Sequence, residues 1–152
     1  MKFDPAAHGW QSRESMGYNA LVGPIWTKGE GKARALGLIV EAKHLNRRGN
    51  IHGGVLAGFA DNLLAVAAHI AVEPQPIATM QLNVHFLAPA HEGEFLEGHA
   101  EVVRATRSVV FLAGRISVGS RAVAAADGIW KILRTRDQHA AKTGEPGPLD
   151  SE

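Results

Sequence analysis

The feature that most constrains the fold is a long apolar segment at residues 53–72 of this 152-residue chain. Apolar side chains fall around almost the whole circumference of a helix with this sequence, which is typical of a helix buried on most sides. Glu73-Pro74 ends the segment, because proline cannot continue a helix. Asp61 and His69 interrupt it, whereas membrane-spanning helices carry few or no charges. The segment therefore predicts the central helix of a soluble domain without a membrane partner.

Strand-like segments lie on both sides of this helix. Two precede it, at residues 20–26 and 32–45, and four follow it, at residues 78–86, 94–104, 109–118 and 122–133. The first of these four has the cleanest two-residue period, with Ala78, Met80, Leu82, Val84 and Phe86 on one face and Thr79 on the other. A helix this apolar, covered by one antiparallel meander, belongs in the concave side of a curved sheet. The predicted fold is α+β: a hotdog fold, in which an antiparallel curved β-sheet wraps around one long central helix.

Three regions are expected along the chain. Residues 1–19 mix proline, glycine and charge and form an N-terminal surface segment, residues 20–135 form the domain, and residues 136–152 form a polar, flexible tail.

Composition excludes several functional classes. The formal net charge of +1 gives no general attraction to nucleic acid. The absence of cysteine excludes disulfides, thiolate nucleophiles and cysteine zinc sites, and it is typical of a cytoplasmic protein. The eight histidines are scattered and none forms a helical His-x-x-x-His pair, so we expect neither a metal nor a cofactor.

The start of the predicted helix carries two adjacent glycines, in His52-Gly53-Gly54. Each glycine costs a helix roughly 0.5–1 kcal/mol relative to alanine. One explanation is packing too close for a Cβ atom, and taken alone this explanation is the simpler. The other is that free N–H groups at a helix start stabilise an oxyanion, such as the one formed from a thioester during acyl transfer.

Asp61 favours the second explanation, because an unpaired carboxylate in the middle of an apolar helix is expensive. A structural hydrogen bond across a subunit contact would also account for it. Gly53 and Asp61 lie eight residues apart, or about 12 Å along a helix. No aspartate side chain closes that gap, so if both residues act on one carbonyl group they must come from two subunits. A symmetric dimer would then contain two shared sites.

These residues resemble a known family. Asn46, Gly49, His52-Gly53-Gly54 and Asp61-Asn62, followed by residues 79–90 (TMQLNVHFLAPA), are similar to hotdog thioesterases of the phenylacetate-pathway (PaaI-like) type, within the 4-hydroxybenzoyl-CoA thioesterase superfamily. The resemblance extends from about residue 20 to 134.

The resemblance implies a role for each matching position. The Gly53 N–H would polarise the thioester carbonyl with His52 beside it, and Asn46 would help to hold that carbonyl or the attacking water. Asp61, reaching across a dimer, would be the nucleophile or the general base. Thr79 would position the water, although an ordinary strand threonine is an equal alternative. A histidine hydrogen-bonded to its own turn is the alternative for His52.

Other residues are expected to contact the substrate. Gly54, Asn62 and Phe59 would bind the substrate, with Phe59 helping to shape the pocket for the acyl group. Arg104 and Arg107 flank a predicted hairpin, and Arg47 precedes the glycine turn. Arginine forks suit the phosphates of CoA, although each arginine taken alone is better explained as a solvated surface residue.

The expected function is hydrolysis of an acyl-CoA to free acid and CoA, by a dimer or a tetramer formed from dimers. The acyl group, aryl-acetyl or short to medium chain, stays open, as does the choice between the two roles of Asp61. The alternatives are a hotdog hydratase or dehydratase and a non-catalytic acyl-CoA-binding protein.

Overall fold

A computed structural model describes residues 3–12 and 14–133, so the predicted tail at 136–152 lies outside the described residues. Two α-helices and seven strands follow one another along the chain, with short 3-10 turns at Ala6–His8, Gly31–Ala33 and Ala42–His44. The helices are α1 (Tyr18–Val22) and α2 (Gly53–Val72). The strands are β1 (Gln11–Ser12), β2 (Ile25–Lys28), β3 (Ala35–Ile39), β4 (Ile77–Phe86), β5 (Phe95–Ala105), β6 (Val109–Val118) and β7 (Arg121–Ile132).

Helix α2 has the predicted bounds. One side of it packs on the sheet through Leu56, Phe59, Ala60, Leu63, Leu64 and Ala68, which are all buried. The opposite side is half-buried or exposed, so the prediction of burial on most sides is not met within one chain. Length and composition alone would also let α2 cross a membrane, but its apolar face packs as the core helix of a globular domain does.

All seven strands form one antiparallel sheet in the order β1-β2-β3-β5-β6-β7-β4. The predicted antiparallel sheet around one central helix is confirmed, but the expected single meander is wrong. Strand β4 pairs with β7 at the edge of the sheet and not with β5, its successor in the chain. The connection between β4 and β5 crosses the end of the sheet, where the amide of Ile51 donates to the buried Ala90 carbonyl.

The two strands predicted before α2 are shorter than expected. Residues 18–22 form helix α1, and the strand begins only at Ile25, after the break at Gly23-Pro24. In the 32–45 segment only Ala35–Ile39 is a strand. The 3-10 turn that follows is stabilised by a capping box, in which the Glu41 amide donates to His44 Nδ1 at 2.9 Å.

The N-terminal residues cover the outer face of the sheet. Strand β1 pairs with β2, and Trp10 is buried against Ala35 and Phe95. Strand β3 is therefore covered on both faces, which accounts for its weak two-residue period.

Candidate active site

The loop before α2 is shaped by Asn46. Its side-chain Oδ1 accepts hydrogen bonds from the amides of Arg48 (2.8 Å) and Asn50 (3.4 Å). Gly49, with φ of 76°, supplies the left-handed backbone that the turn requires. The loop therefore occupies the oxygen of the Asn46 amide, whereas its nitrogen has no partner among the described residues and stays free to donate.

The first turn of α2 leaves one amide free. The Gly54 amide donates to Nδ1 of His52 at 2.9 Å, and the amides of Val55 and Leu56 both donate to the His52 carbonyl oxygen. Within residues 3–12 and 14–133, the Gly53 amide has no hydrogen-bond partner. This donor stands at the positive end of a 20-residue helix. His52 is thus hydrogen-bonded to its own turn, as its alternative explanation predicted.

Different constraints explain the glycines at positions 53 and 54. A Cβ at Gly54 would lie 3.1 Å from Nδ1 of His52 and crowd the ring that caps the helix. A Cβ at Gly53 would meet nothing nearer than Cζ of Phe86, at an ordinary 3.5 Å. Packing within the chain therefore explains Gly54 but not Gly53, whose missing side chain leaves the free amide accessible.

An open cavity of about 360 Å³ lies in front of this amide. Its polar edge includes Asn46 and Gly53, and its apolar wall comes from α2 and the end of β4. The lining residues are Asn46, Asn50, Ile51, Gly53, Leu56, Phe86, Leu87, Ala88 and Pro89. The cavity thus combines two residues that carry free donors with apolar walls, which suits a carbonyl group attached to an apolar chain.

The far wall of the cavity is held by Arg121, a residue that sequence reasoning did not select. Its guanidinium donates to the Pro89 carbonyl and, at 2.5 Å, to Oε1 of Glu94, whose Oε2 accepts from the His91 amide at 2.8 Å. Burial alone would raise the pKa of Glu94, but the His91 amide and the Arg121 guanidinium outweigh it and lower that pKa. No sequence signal marks this contact, because it joins positions 27 residues apart through the sheet.

Asp61 and Thr79 form a second group of polar side chains. Oγ1 of Thr79 donates to Oδ1 of Asp61 at 2.9 Å. The predicted two-residue period placed Thr79 on the face of β4 that does not carry Leu82 and Val84, and this prediction is wrong. A β-bulge at Met80 interrupts the period, so that Thr79 faces α2 together with Leu82 and Val84, which pack against the core.

The structure keeps these two groups apart within one chain. Asn46, His52, Gly53 and Gly54 meet at the start of α2, and Asp61 and Thr79 meet two turns further along; neither of these last two lines the cavity. Asn62, next to Asp61, is half-buried on the open side of α2.

Phe59 is not near the cavity. It is 3% exposed and packs towards Gly98 in the core, so it does not line the site as expected. Gly58, one residue before Phe59 on α2, is covered by α1, since the hydroxyl of Tyr18 occupies the space that a Cβ at Gly58 would need.

The three arginines do not form one cluster. Arg47 is exposed in the loop beside Asn46, whereas Arg104 and Arg107 are exposed at the β5–β6 hairpin. That hairpin lies beside Ile132, which pairs with Ile77, the first residue of β4. Gly53 lies beside Phe86, the last residue of β4. Ten extended residues separate these ends by about 30 Å.

No group of three or more metal-binding side chains occurs in the part of the chain that the structure describes.

Comparisons with known proteins point to one family. The sequence model of one protein family, the thioesterase superfamily, matches residues 48–125. A Pseudomonas aeruginosa protein named as a candidate esterase is 32% identical over 114 residues, which cover 74% of this chain and 85% of that protein. Human acyl-coenzyme A thioesterase 13 is 29% identical over 72 residues, 47% of this chain and 51% of the relative, so the match spans about half of that relative's length.

Solved structures share the fold. The PaaI protein of the E. coli phenylacetic acid degradation operon superposes with a TM-score of 0.70 at 21% identity, over 76% of this chain and 83% of that one. A Bacillus halodurans protein solved with CoA gives a TM-score of 0.72 at 22% identity, over 82% and 83% of the two chains. Likeness at these identities concerns the fold alone, and it confirms the hotdog architecture.

Proposed function

The chain belongs to the thioesterase superfamily, and from this premise we propose that it hydrolyses acyl-CoA thioesters at a site shared between two subunits. The observation that carries the proposal is the free Gly53 amide, which faces a cavity beside the Asn46 side chain. Attack on a thioester carbon moves negative charge onto the carbonyl oxygen. Two fixed donors that meet this oxygen stabilise the transition state more than the substrate, which accelerates the reaction.

Asp61 supplies the second function that hydrolysis needs. As a general base its carboxylate removes a proton from water while the water oxygen bonds to the thioester carbon. The carbon–sulfur bond then breaks, and the departing CoA sulfur takes the proton from Asp61. As a nucleophile its oxygen bonds to the thioester carbon while the carbon–sulfur bond breaks and CoA leaves as a thiolate. Water then hydrolyses the resulting anhydride, which releases the free acid and restores the Asp61 carboxylate. The hydrogen bond from Thr79 fixes one carboxylate oxygen and leaves the other for either role.

A dimer formed through β4 would join the two halves of the site. Strand β4 pairs with β7 on one side only, and Met80 on this edge strand is 61% exposed. Bare strand edges invite pairing with another chain. Antiparallel pairing of two β4 strands would bring Asp61 of each subunit towards the Gly53 end of the other. The same pairing would carry Arg104 and Arg107 towards the partner's cavity, where CoA phosphates would lie.

CoA is proposed as the leaving group because one relative is named as an acyl-coenzyme A thioesterase and one structure of the same fold was solved with CoA. The acyl group would occupy the apolar part of the cavity beside Phe86 and Leu87. Both an aryl-acetyl group and a short or medium acyl chain fit this description.

A thiol-release assay over short, medium, long and aryl acyl-CoAs tests the proposal. We expect wild-type protein to release CoA from at least one of them and Asp61→Asn to lose this turnover while still binding the substrate. Asp127→Asn is the matched control, since it changes an exposed acid on β7, and it should retain wild-type turnover. Binding without release by the wild type would instead identify a non-catalytic acyl-CoA-binding protein.

A further inference from the structure

The orientation of Thr79 depends on an irregularity in β4. Without the bulge at Met80, the strict alternation of a strand would turn the Thr79 hydroxyl to the outer face of the sheet, away from Asp61. Bulges re-aim side chains in this way beside functional sites. The hydrogen bond of 2.9 Å between Thr79 and Asp61 therefore exists only while the bulge is held in place.

Two residues of β7 lie directly against the bulge. Trp130 is paired with Thr79 across the sheet, points to the same face and is completely buried. Its ring extends over Gly128, where a Cβ would lie 2.6 Å from Cζ3 of the indole and 2.4 Å from the carbonyl oxygen of Gln81. The indole and the bulged backbone together fill the space that any side chain at 128 would need. Position 128 therefore requires glycine.

The indole nitrogen gives a further indication. Nε1 of Trp130 is buried and has no hydrogen-bond partner among the described residues. An unpaired buried N–H destabilises the folded state. Hydrogen bonding by the indole therefore does not explain why a tryptophan occupies this position. The shape of the large ring, which covers Gly128, is what explains it.

We propose that Trp130 and Gly128 are positioning residues, which hold the bulge at Met80 and so aim the Thr79 hydroxyl at Asp61. The proposal rests on the role of Asp61 in the proposed function. Neither residue lines the cavity, and both lie beyond residues 48–125, which the family model matches. Their effect should consequently appear in kcat and not in KM.

A double-mutant cycle between Trp130→Phe and Thr79→Val tests the proposal. Phenylalanine keeps an aromatic ring but lacks the outer atoms that cover Gly128. Each single variant should lower kcat about 10- to 100-fold with KM changed less than about twofold, because small misplacements of catalytic groups have effects of this size. The double variant should be no slower than the slower single variant. Effects that multiply would overturn the proposal, since Trp130 would then not act through Thr79.

Further variants separate positioning from loss of stability. Leu96→Val removes a methylene from a completely buried residue of β5 and should lower the melting temperature with kcat unchanged. Trp130→Tyr, which keeps more of the side-chain volume than phenylalanine, decides the question in the same cycle if Trp130→Phe does not fold. Wild-type protein without thiol release would refute the proposed function itself. An active wild type, an inactive Asp61→Asn and a multiplying cycle would refute only the roles of Trp130 and Gly128.

Discussion

The two donors of the Gly53 half are held by neighbouring stretches of chain, whereas the Asp61 half needs contacts between distant ones. The loop at 46–50 and the cap from His52 to Gly54 span at most four residues. The bond between Asp61 and Thr79 spans 18 residues, and its geometry depends on the register of β4 against β7. The positions of the first half's donors should therefore tolerate changes in the sheet, and the bond between Asp61 and Thr79 should not.

The halves also differ in the groups they offer. The start of α2 presents a backbone N–H, which no side-chain substitution removes except proline. The middle of α2 presents a carboxylate, which a single substitution neutralises. Under the proposed function, the amide stabilises the charge on the carbonyl oxygen and the carboxylate acts as base or nucleophile, so hydrolysis requires both halves.

Proline at position 53 gives the sharpest test of the amide. Proline lacks the N–H, suits the first position of a helix, and requires an extended residue before it, as His52 is (φ −68°, ψ 134°). We expect Gly53→Pro to lower kcat about 100- to 1,000-fold, the effect of losing one oxyanion donor. Gly53→Ala keeps the N–H and places its Cβ at an ordinary distance from Phe86, so its kcat should fall far less. Equal losses in the two variants would mean that space, and not the amide, matters at this position.

A mixed dimer tests whether the two halves come from different subunits. We expect Gly53→Pro and Asp61→Asn chains, co-expressed with different affinity tags and purified as a heterodimer, to regain about half of the wild-type activity. One of the two shared sites would then carry both defects and the other none. A heterodimer of two tagged Asp61→Asn chains is the control and should stay inactive. No recovery in the mixed dimer would contradict the shared site.

His52 should affect stability more than chemistry. His52→Ala removes a cap on the Gly54 amide and should lower the free energy of unfolding by about 1 kcal/mol, measured by urea denaturation. His52→Asn keeps a capping oxygen and should restore most of this stability. If His52→Asn is stable but loses as much kcat as Gly53→Pro, the ring itself takes part in the reaction.

The same contrast explains what could be predicted from the sequence. The bounds of α2 and the separation of Gly53 from Asp61 follow from local rules, namely where proline stops a helix and how far each residue rises. The free Gly53 amide is also a local property of the helix start. The position of β4 beside β7, the bulge at Met80 and the contact of Arg121 with Glu94 depend on the pairing of distant strands. A regular two-residue period cannot reveal a bulge, and it assigned Thr79 to the wrong face.

The smallest expected effect concerns the wall of the cavity. The pKa of Glu94 lies below its ordinary value of 4.5 in the folded chain, so the carboxylate stabilises the fold at neutral pH. This contribution is complete above the unfolded pKa and is lost as the pH falls through the lower, folded value. Because the Glu94 and Arg121 side chains are 28% and 37% exposed, the contribution should be at most about 1 kcal/mol.

Glu94→Gln should therefore lower the free energy of unfolding at pH 7, and the difference from wild type should vanish as the pH falls well below 4.5. Chemical denaturation of both proteins across this range provides the measurement. Glu97→Gln is the control: it changes a nearby acid of β5 whose ion pair, with His99, is exposed, so its free energy of unfolding should differ little from that of the wild type. A difference in stability between Glu94→Gln and wild type that persists below the folded pKa would mean that the glutamate acts through its shape and not its charge. In that case Arg121 would hold Pro89, and with it the wall opposite Gly53, without the help of the ion pair.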